Sequence, residues 1–173
     1  MSNHGDALLV WQGKAKAITA YELAERFVGT TEVTGPEHNC RIMSWLHRSM
    51  PWVADDKTAH CAAFVHEICY CLGLPMPEVD VMKHTHPARA RSWLTVGRAI
   101  PITEARSGFD LVIFRRKIGD PGVNVLDALG HVGFYSAYDG GNFVDCLGAN
   151  QDNTVKVKPY LADNLLGVRR AYG

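Results

Sequence analysis

A chain of 173 residues, 47% hydrophobic and 21% charged, has the composition of one ordinary globular domain with a core of its own. Lysine plus arginine and aspartate plus glutamate balance at 18 each, so no net field draws the chain to nucleic acid or to an anionic membrane, and the basic runs Arg115-Arg116-Lys117 and Arg169-Arg170 read as solvated surface charge. No run approaches the ~20 apolar residues of a membrane span, and the five cysteines, an odd number, read as reduced thiols rather than as a disulfide framework.

Residues 1–17 form a mixed arm that docks, if at all, through Leu8, Leu9, Val10 and Trp11, and residues 18–173 read as a single domain. The arm lacks the basic region and long apolar core of a secretion signal, so the expectation is synthesis in the cytoplasm. Ala20, Leu23, Ala24 and Phe27 have helical spacing within 18–28, with Gly29 as the stop. The loop GTTEVTGPEHN follows and carries Glu32, Glu37 and His38. Asn39 caps a helix from Cys40 to about His47.

The stretch DDKTAHCAAFVHEICYCLGL predicts a helix capped by Thr58, with Cys61 in its first turn. Cys61, Phe64, Val65, Ile68 and Leu72 fall in one stripe about 80° wide at ~100° per residue, while His66, Glu67 and Tyr70 point away. Gly73, Pro75 and Pro77 end it. A thiol at a helix start feels the positive end of the helix dipole, which favours thiolate, so Cys61 is the candidate nucleophile with a depressed pKa.

Pro87 opens a short helix ending at Gly97. Thereafter the period is that of strands: 110–114, 130–135, 142–146, 154–157 and 167–170 are short runs separated by Gly, Pro, Asp and Asn. Helices first and strands afterwards imply an α+β domain, N-terminal helices packed on an antiparallel meander of about five strands.

A nucleophilic thiol needs a base, and the base a group that holds its tautomer. Among eight histidines, His131 alone opens a strand, in GHVGFY, with small residues around it. If Gly140-Gly141 is a two-residue hairpin loop, His131 falls opposite Asn150 on a shared face and Asp145 opposite Ser136. A three-residue loop or a bulge reverses that parity, so the register prefers Asn150 without excluding Asp145. The competing reading of His60, Cys61, His66, Cys69 and Cys71 is a metal site, but a helix spreads them around its circumference. With no CxxC, HExxH, phosphate loop or dinucleotide fingerprint, no metal or cofactor is expected.

The ordered set FVGTTE with GPEHN, DDKTAHCAAFV, ARSWLTVG, FDLVIFRR, GHVGFY, LGANQDNTV and GVRRA resembles the CHAP-type cysteine peptidases and amidases of the NlpC-type cell-wall hydrolase superfamily, especially the compact phage-associated group, over residues 18–171. The resemblance implies a papain-like core, Cys61 as nucleophile, His131 as base and Asn150 as orienting group, acting on an amide in the peptide part of peptidoglycan. Two positions depart: His60 stands where that group usually has Trp, and Gly148 where many CHAP domains have Glu. Around the nucleophile, Glu32, Asp55, Asp56 and His60 are candidate cleft residues for a cationic or polar peptide, with Gln151 a further substrate-contacting candidate. A wall hydrolase without a signal acts in the periplasm or cell wall after release or delivery, as a phage lysin with a pore-forming partner or as an injected toxin with an immunity protein. The alternatives are a papain-like deamidase or transferase acting on protein, and an inactive CHAP-like wall-binding module.

Overall fold

A computed structural model describes residues 7–11 and 14–172, with side chains from Ala17 onward. Within the segment read as an arm, β1 (Ala7–Trp11) pairs antiparallel with β2 (Lys14–Ile18). The docking expected of Leu8 to Trp11 concerns side chains outside the described residues.

Three helices follow: α1 (Ala20–Glu25), α2 (Cys40–Ser49) and α3 (Cys61–Cys71). Thr19 and Glu22 form a reciprocal capping box at the start of α1. The helix is shorter than the spacing predicted. Its expected last turn is drawn into sheet-like pairing instead, Gly29 N–H donating to Val155 O at 2.9 Å and Val155 N–H to Thr30 O at 2.8 Å. Asn39 caps α2 as expected, accepting from Arg41 and Ile42 N–H.

The start of α3 differs from the expectation. Thr58 gives its hydroxyl to Asp55 Oδ1 at 3.2 Å, which also takes the Thr58 N–H at 2.9 Å, so it does not cap the helix. The cap is His60, with no side-chain bond into the turn, and Cys61 is the first helical residue. The far end closes with a Schellman motif: Gly73, at φ +64°, donates to Tyr70 O, and Leu74 to Cys69 O. Because α1 and α2 cover one side of α3 and the sheet the other, its buried arc exceeds one stripe. His66, expected to point away, is buried, while Tyr70 is exposed beneath the Arg48 guanidinium. Phe27, Trp45, Phe64 and Phe134 form the aromatic centre of this core, with ring centroids 4.9–6.4 Å apart.

After α3 the short helix expected before Gly97 forms as a 3-10 helix over Ala90–Thr95. Trp93 Nε1 donates to Pro87 O, and the fully buried Arg91 donates to the carbonyls of Pro121, Gly122, Val125 and Leu129, fastening the 116–129 loop to the core. The main sheet has six strands: β3 (Arg98–Ile100), β4 (Asp110–Arg115), β5 (Gly130–Tyr138), β6 (Phe143–Gln151), β7 (Thr154–Leu161) and β8 (Leu165–Arg170). Their order is β3-β8-β4-β5-β6-β7, all neighbours antiparallel. Only β4 to β7 is a meander; β8 inserts between β4 and β3, the strand the sequence reading missed. Arg170 and Asp110 clamp β8 to β4 through two bonds of 2.8 Å. The helices cover one face, and the other carries a smaller cluster of Val112, Phe114, Val144, Cys146 and Val168.

The β5–β6 hairpin corrects the register argument in an instructive way. The loop holds three residues, Gly140 to Asn142, since Tyr138 pairs with Val144 and Asp139 N–H donates to Phe143 O. That reverses the parity, and a bulge at Ser136 reverses it again, restoring Tyr135↔Cys146 and Phe134↔Leu147. Asp145 therefore faces Ala137 rather than Ser136. The α+β expectation stands: helices pack on one face of an antiparallel sheet.

Candidate active site

Where the start of α3 meets the start of β5, a cavity of about 210 Å³ is lined by Cys61, His131, Asn150, Tyr160, Arg115 and Arg116, with the Gly130 backbone. A larger hollow of about 380 Å³ lies between β3, β8 and residues 123–126, and Arg169 is its sole titratable lining group. The first is where the chemistry-bearing side chains converge.

Cys61 is 6% exposed. Burial pushes its thiol pKa up, and the N–H groups of Val132, Ala62 and Cys61 and the charge of Arg116 pull it down without reversing the shift. The depressed pKa expected from the helix start alone is thus overturned: desolvation outweighs the helix end, and the resting group is a thiol. The same N–H groups remain aimed at the sulfur, positioned to hold negative charge when the proton leaves.

His131 pairs with Phe114 across β4 and β5. Its ring stacks on Tyr160 with centroids 4.9 Å apart, and Tyr160 stacks in turn on Phe114 at 4.6 Å. Burial, then Arg116 and Lys158, push its pKa down to about 3, while a hydrogen-bonding interaction with the Gln151 side chain opposes them. At neutral pH the imidazole is therefore neutral, and burial opposes its protonation.

At the end of β6 the ladder to β7 slips between Gly148 and Gln151. Asn150 is carried in the left-handed region at φ +57°, which turns it out of the ladder toward the cavity. Gln151, 1% exposed, goes inward, its Nε2 donating to Gly148 O at 3.0 Å, Cys146 O at 3.3 Å and Lys156 O. With the amide nitrogen committed to backbone carbonyls, Oε1 is the free end. Gln151 Oε1 and His131 Nε2 are both buried, and neither closes a well-aligned hydrogen bond. They flank Gly148, where an added Cβ would lie 3.1 Å from His131 Nε2 and 3.6 Å from Gln151 Cδ. Gly148, a departure noted in the sequence, is thus the space in which the ring sits.

The structure brings Cys61, His131 and Asn150 to one cavity, and it does not bring the substrate candidates there. Asp56 is fully buried and accepts from Asn39 N–H at 2.8 Å and Val33 N–H at 3.0 Å. Burial would raise its pKa, but those bonds together with Lys57 and His38 hold it far below the usual carboxylate range. Asp55 is committed to the Lys57 and Thr58 backbone. His60 is fully buried, Nδ1 at 3.0 Å from Thr58 O and 4.0 Å from Glu32 Oε1, and burial pushes its pKa down. Burial and then Asp56 push Glu32 up. These residues tie the loop between α1 and α2 to the lead-in of α3, and Asp55, Asp56, His60 and Glu32 lie outside the lining of the cavity. Gln151 likewise lies under the cavity wall rather than on it. Sequence reasoning missed Tyr160, Arg115 and Arg116; the basic run 115–117 was visible but read as solvated charge, and Tyr160 gave no signal. Among the described residues no three of His, Cys, Asp and Glu converge as a metal site requires, and no helix is long and apolar enough to cross a membrane.

Cys61 at a helix start and His131 at a strand start thus share one cavity of a fold in which helices pack on an antiparallel sheet, as in papain-like cores. No protein-family model matches the chain, and no curated protein matches it. Among solved structures the chain is similar to NlpC1 from Trichomonas vaginalis, with a TM-score of 0.51 and 14% sequence identity over 98% of this chain. The match spans 55% of that protein, so the chain corresponds to about half its length.

Proposed function

We propose that this chain is a cysteine-dependent hydrolase that cleaves an amide in the peptide part of peptidoglycan. The observation that supports it is the convergence of the Cys61 thiol, with three N–H groups turned on its sulfur, and a neutral His131 on one cavity of an NlpC-like fold.

In this reading His131 takes the Cys61 proton, and the thiolate attacks the amide carbonyl. The N–H groups at the start of α3 and the Asn150 amide on the cavity wall are the donors available to the developing oxyanion. The tetrahedral adduct collapses as imidazolium protonates the leaving amine. Water, deprotonated by His131, then attacks the thioester and releases a carboxylic acid, restoring the thiol. Gln151 Oε1, the free end of the amide beside the ring, is the acceptor available to Nε2–H once the two align, which leaves the Nδ1 lone pair for Cys61. The orienting part thereby moves from Asn150 to Gln151, and Asn150 takes the oxyanion side.

The CHAP-type, phage-associated affinity and delivery as a lysin, or as a toxin opposed by an immunity protein, belong to the same proposal and rest on the sequence resemblance. Purified sacculi incubated with reduced protein, with new termini identified by mass spectrometry, test the reaction. Peptides released by wild type and absent with Cys61→Ala and His131→Ala are the expected result. Intact sacculi after wild-type treatment would refute this substrate, and release of ammonia from a protein glutamine would favour the deamidase alternative.

A further inference from the structure

We propose that Arg115 and Arg116 form an anion-binding subsite, which selects substrates carrying a free carboxylate next to the acyl group attacked by Cys61. The inference rests on the hydrolase reading above for its reaction, but the subsite has a test of its own.

Both guanidinium-bearing residues line the cavity with Cys61 and His131. Arg115 is the last residue of β4 and pairs with Gly130, immediately before His131, so its placement is fixed by the same ladder that places the base. Elsewhere in the molecule cations near acids are paired: Arg48 with Glu67, Lys57 with Asp56, Lys83 with Asp80, Lys156 and Lys158 with Asp152, Arg170 with Asp110. The guanidinium groups of Arg115 and Arg116 have neither an ion pair nor a hydrogen bond among the described residues, and Arg115 Nε is buried without a partner. A buried guanidinium N–H left unsatisfied beside an open cavity is costly unless something binds it, and a carboxylate accepts from a guanidinium with matching geometry.

The charges near the cavity reinforce the assignment. Arg116 and Lys158 act on His131, and Arg116 on Cys61 and Tyr160, whereas the acidic residues Glu32, Asp55 and Asp56 lie outside the lining. The expected preference for a cationic peptide is therefore inverted. Occupancy also feeds back on the chemistry: a carboxylate on Arg116 removes part of the positive field that opposes protonation of His131, the form required to expel the leaving amine. Substrate binding and acid catalysis are coupled through one side chain.

The test compares iodoacetate with iodoacetamide, near-isosteric alkylating reagents that differ by one charge, at Cys61, with 2-mercaptoethanol as the uncharged reference thiol. The iodoacetate-to-iodoacetamide rate ratio is expected to exceed that of 2-mercaptoethanol by about tenfold, the scale of one opposite charge about 6 Å away at an effective dielectric of about 40. It should shrink with salt and fall to the reference in Arg115→Gln/Arg116→Gln. A ratio equal to that of 2-mercaptoethanol, or one unchanged by the substitutions, overturns the subsite. In parallel, native sacculi are compared with sacculi whose carboxylates have been amidated with carbodiimide and ammonia. Slower release from the amidated material is expected, and equal release overturns the selectivity. If wild type opens neither preparation while the charge-dependent alkylation ratio holds, the subsite stands and the peptidoglycan reading falls.

Discussion

Replacing Gly148 by alanine adds one methyl group at the most crowded point beside the base. The new carbon would lie 3.1 Å from His131 Nε2 and 3.5 Å from Val132 O. A methyl in comfortable contact sits about 3.6 Å away, so the ring tip must retreat by about half an ångström. It has little freedom to do so, because Tyr160 stacks on it at 4.9 Å and Tyr160 is itself backed by Phe114. Displacements near 1 Å cost about 100-fold in rate, so a half-ångström shift should lower turnover about tenfold. Alanine has no backbone objection at this position, whose φ is not in the left-handed region, so the stability loss should stay below about 1.5 kcal/mol. Muropeptide release gives the rate, and histidine Cε1–H titration by NMR gives the His131 pKa, which should rise from about 3 as the ring moves out of its desolvated seat. A Gly148→Ala protein with wild-type rate and unaltered titration would show that the ring is not confined there, and the role given to Gly148 would be wrong.

Gln151→Ala removes the amide against His131 together with three donor contacts to backbone carbonyls, so turnover should fall by more than about tenfold and stability by about 2–3 kcal/mol, measured by release kinetics and urea unfolding. Asn150→Ala should lower turnover about as much while leaving the His131 titration unchanged; a shifted titration with Asn150→Ala and none with Gln151→Ala would restore Asn150 as the orienting residue. Acid stability follows from the depressed histidines: the unfolded chain binds a proton near pH 6.5 that folded His131 refuses until about 3. Stability is therefore full above pH 6.5 and lost as the pH falls through that window, and His131→Gln should flatten the decline in pH-dependent thermal unfolding. Arg91→Lys keeps the charge but replaces a fork that bonds four loop carbonyls by a single ammonium, and should cost about 2–4 kcal/mol in thermal unfolding with the 116–129 loop exposed to proteolysis.

What the sequence made legible was local. Asn39 as a cap, Gly73 as a helix stop, and the strand-like runs could be read because each is decided by a few neighbouring residues. The conjunction of Cys61, His131 and Asn150 was legible because each sits at an element boundary. The failures share a different cause. Thr58 looks like a cap until Asp55 takes its hydroxyl, and Asp56 and His60 look like cleft residues until the loop around Val33 and Asn39 folds over them. The thiol field was judged from the helix end alone, whereas the dominant effect is desolvation by partners distant in sequence. The hairpin keeps the expected pairing of Phe134 with Leu147 through two compensating shifts, a longer loop and a bulge, so agreement there concealed a wrong path. Arg115 and Arg116 were dismissed because sequence shows charge but not the absence of a counter-charge.

The insertion of β8 between β3 and β4 bears on the order in which this molecule can be made. When residues 98–115 have emerged from the ribosome, β4 lacks both its neighbours, and the β5 pairing that follows supplies only one. Its other edge, bearing Leu111, Val112 and Ile113, waits until residues 165–170 are synthesised, more than fifty positions later. Such long-range closure is slow and leaves a flat apolar strand open to wrong partners in the interval. The Arg170–Asp110 clamp is then a completion signal: Arg115 and His131 ride on strands of this sheet and Arg116 directly follows β4, so the cavity they line is complete only once residues 165–170 have joined it.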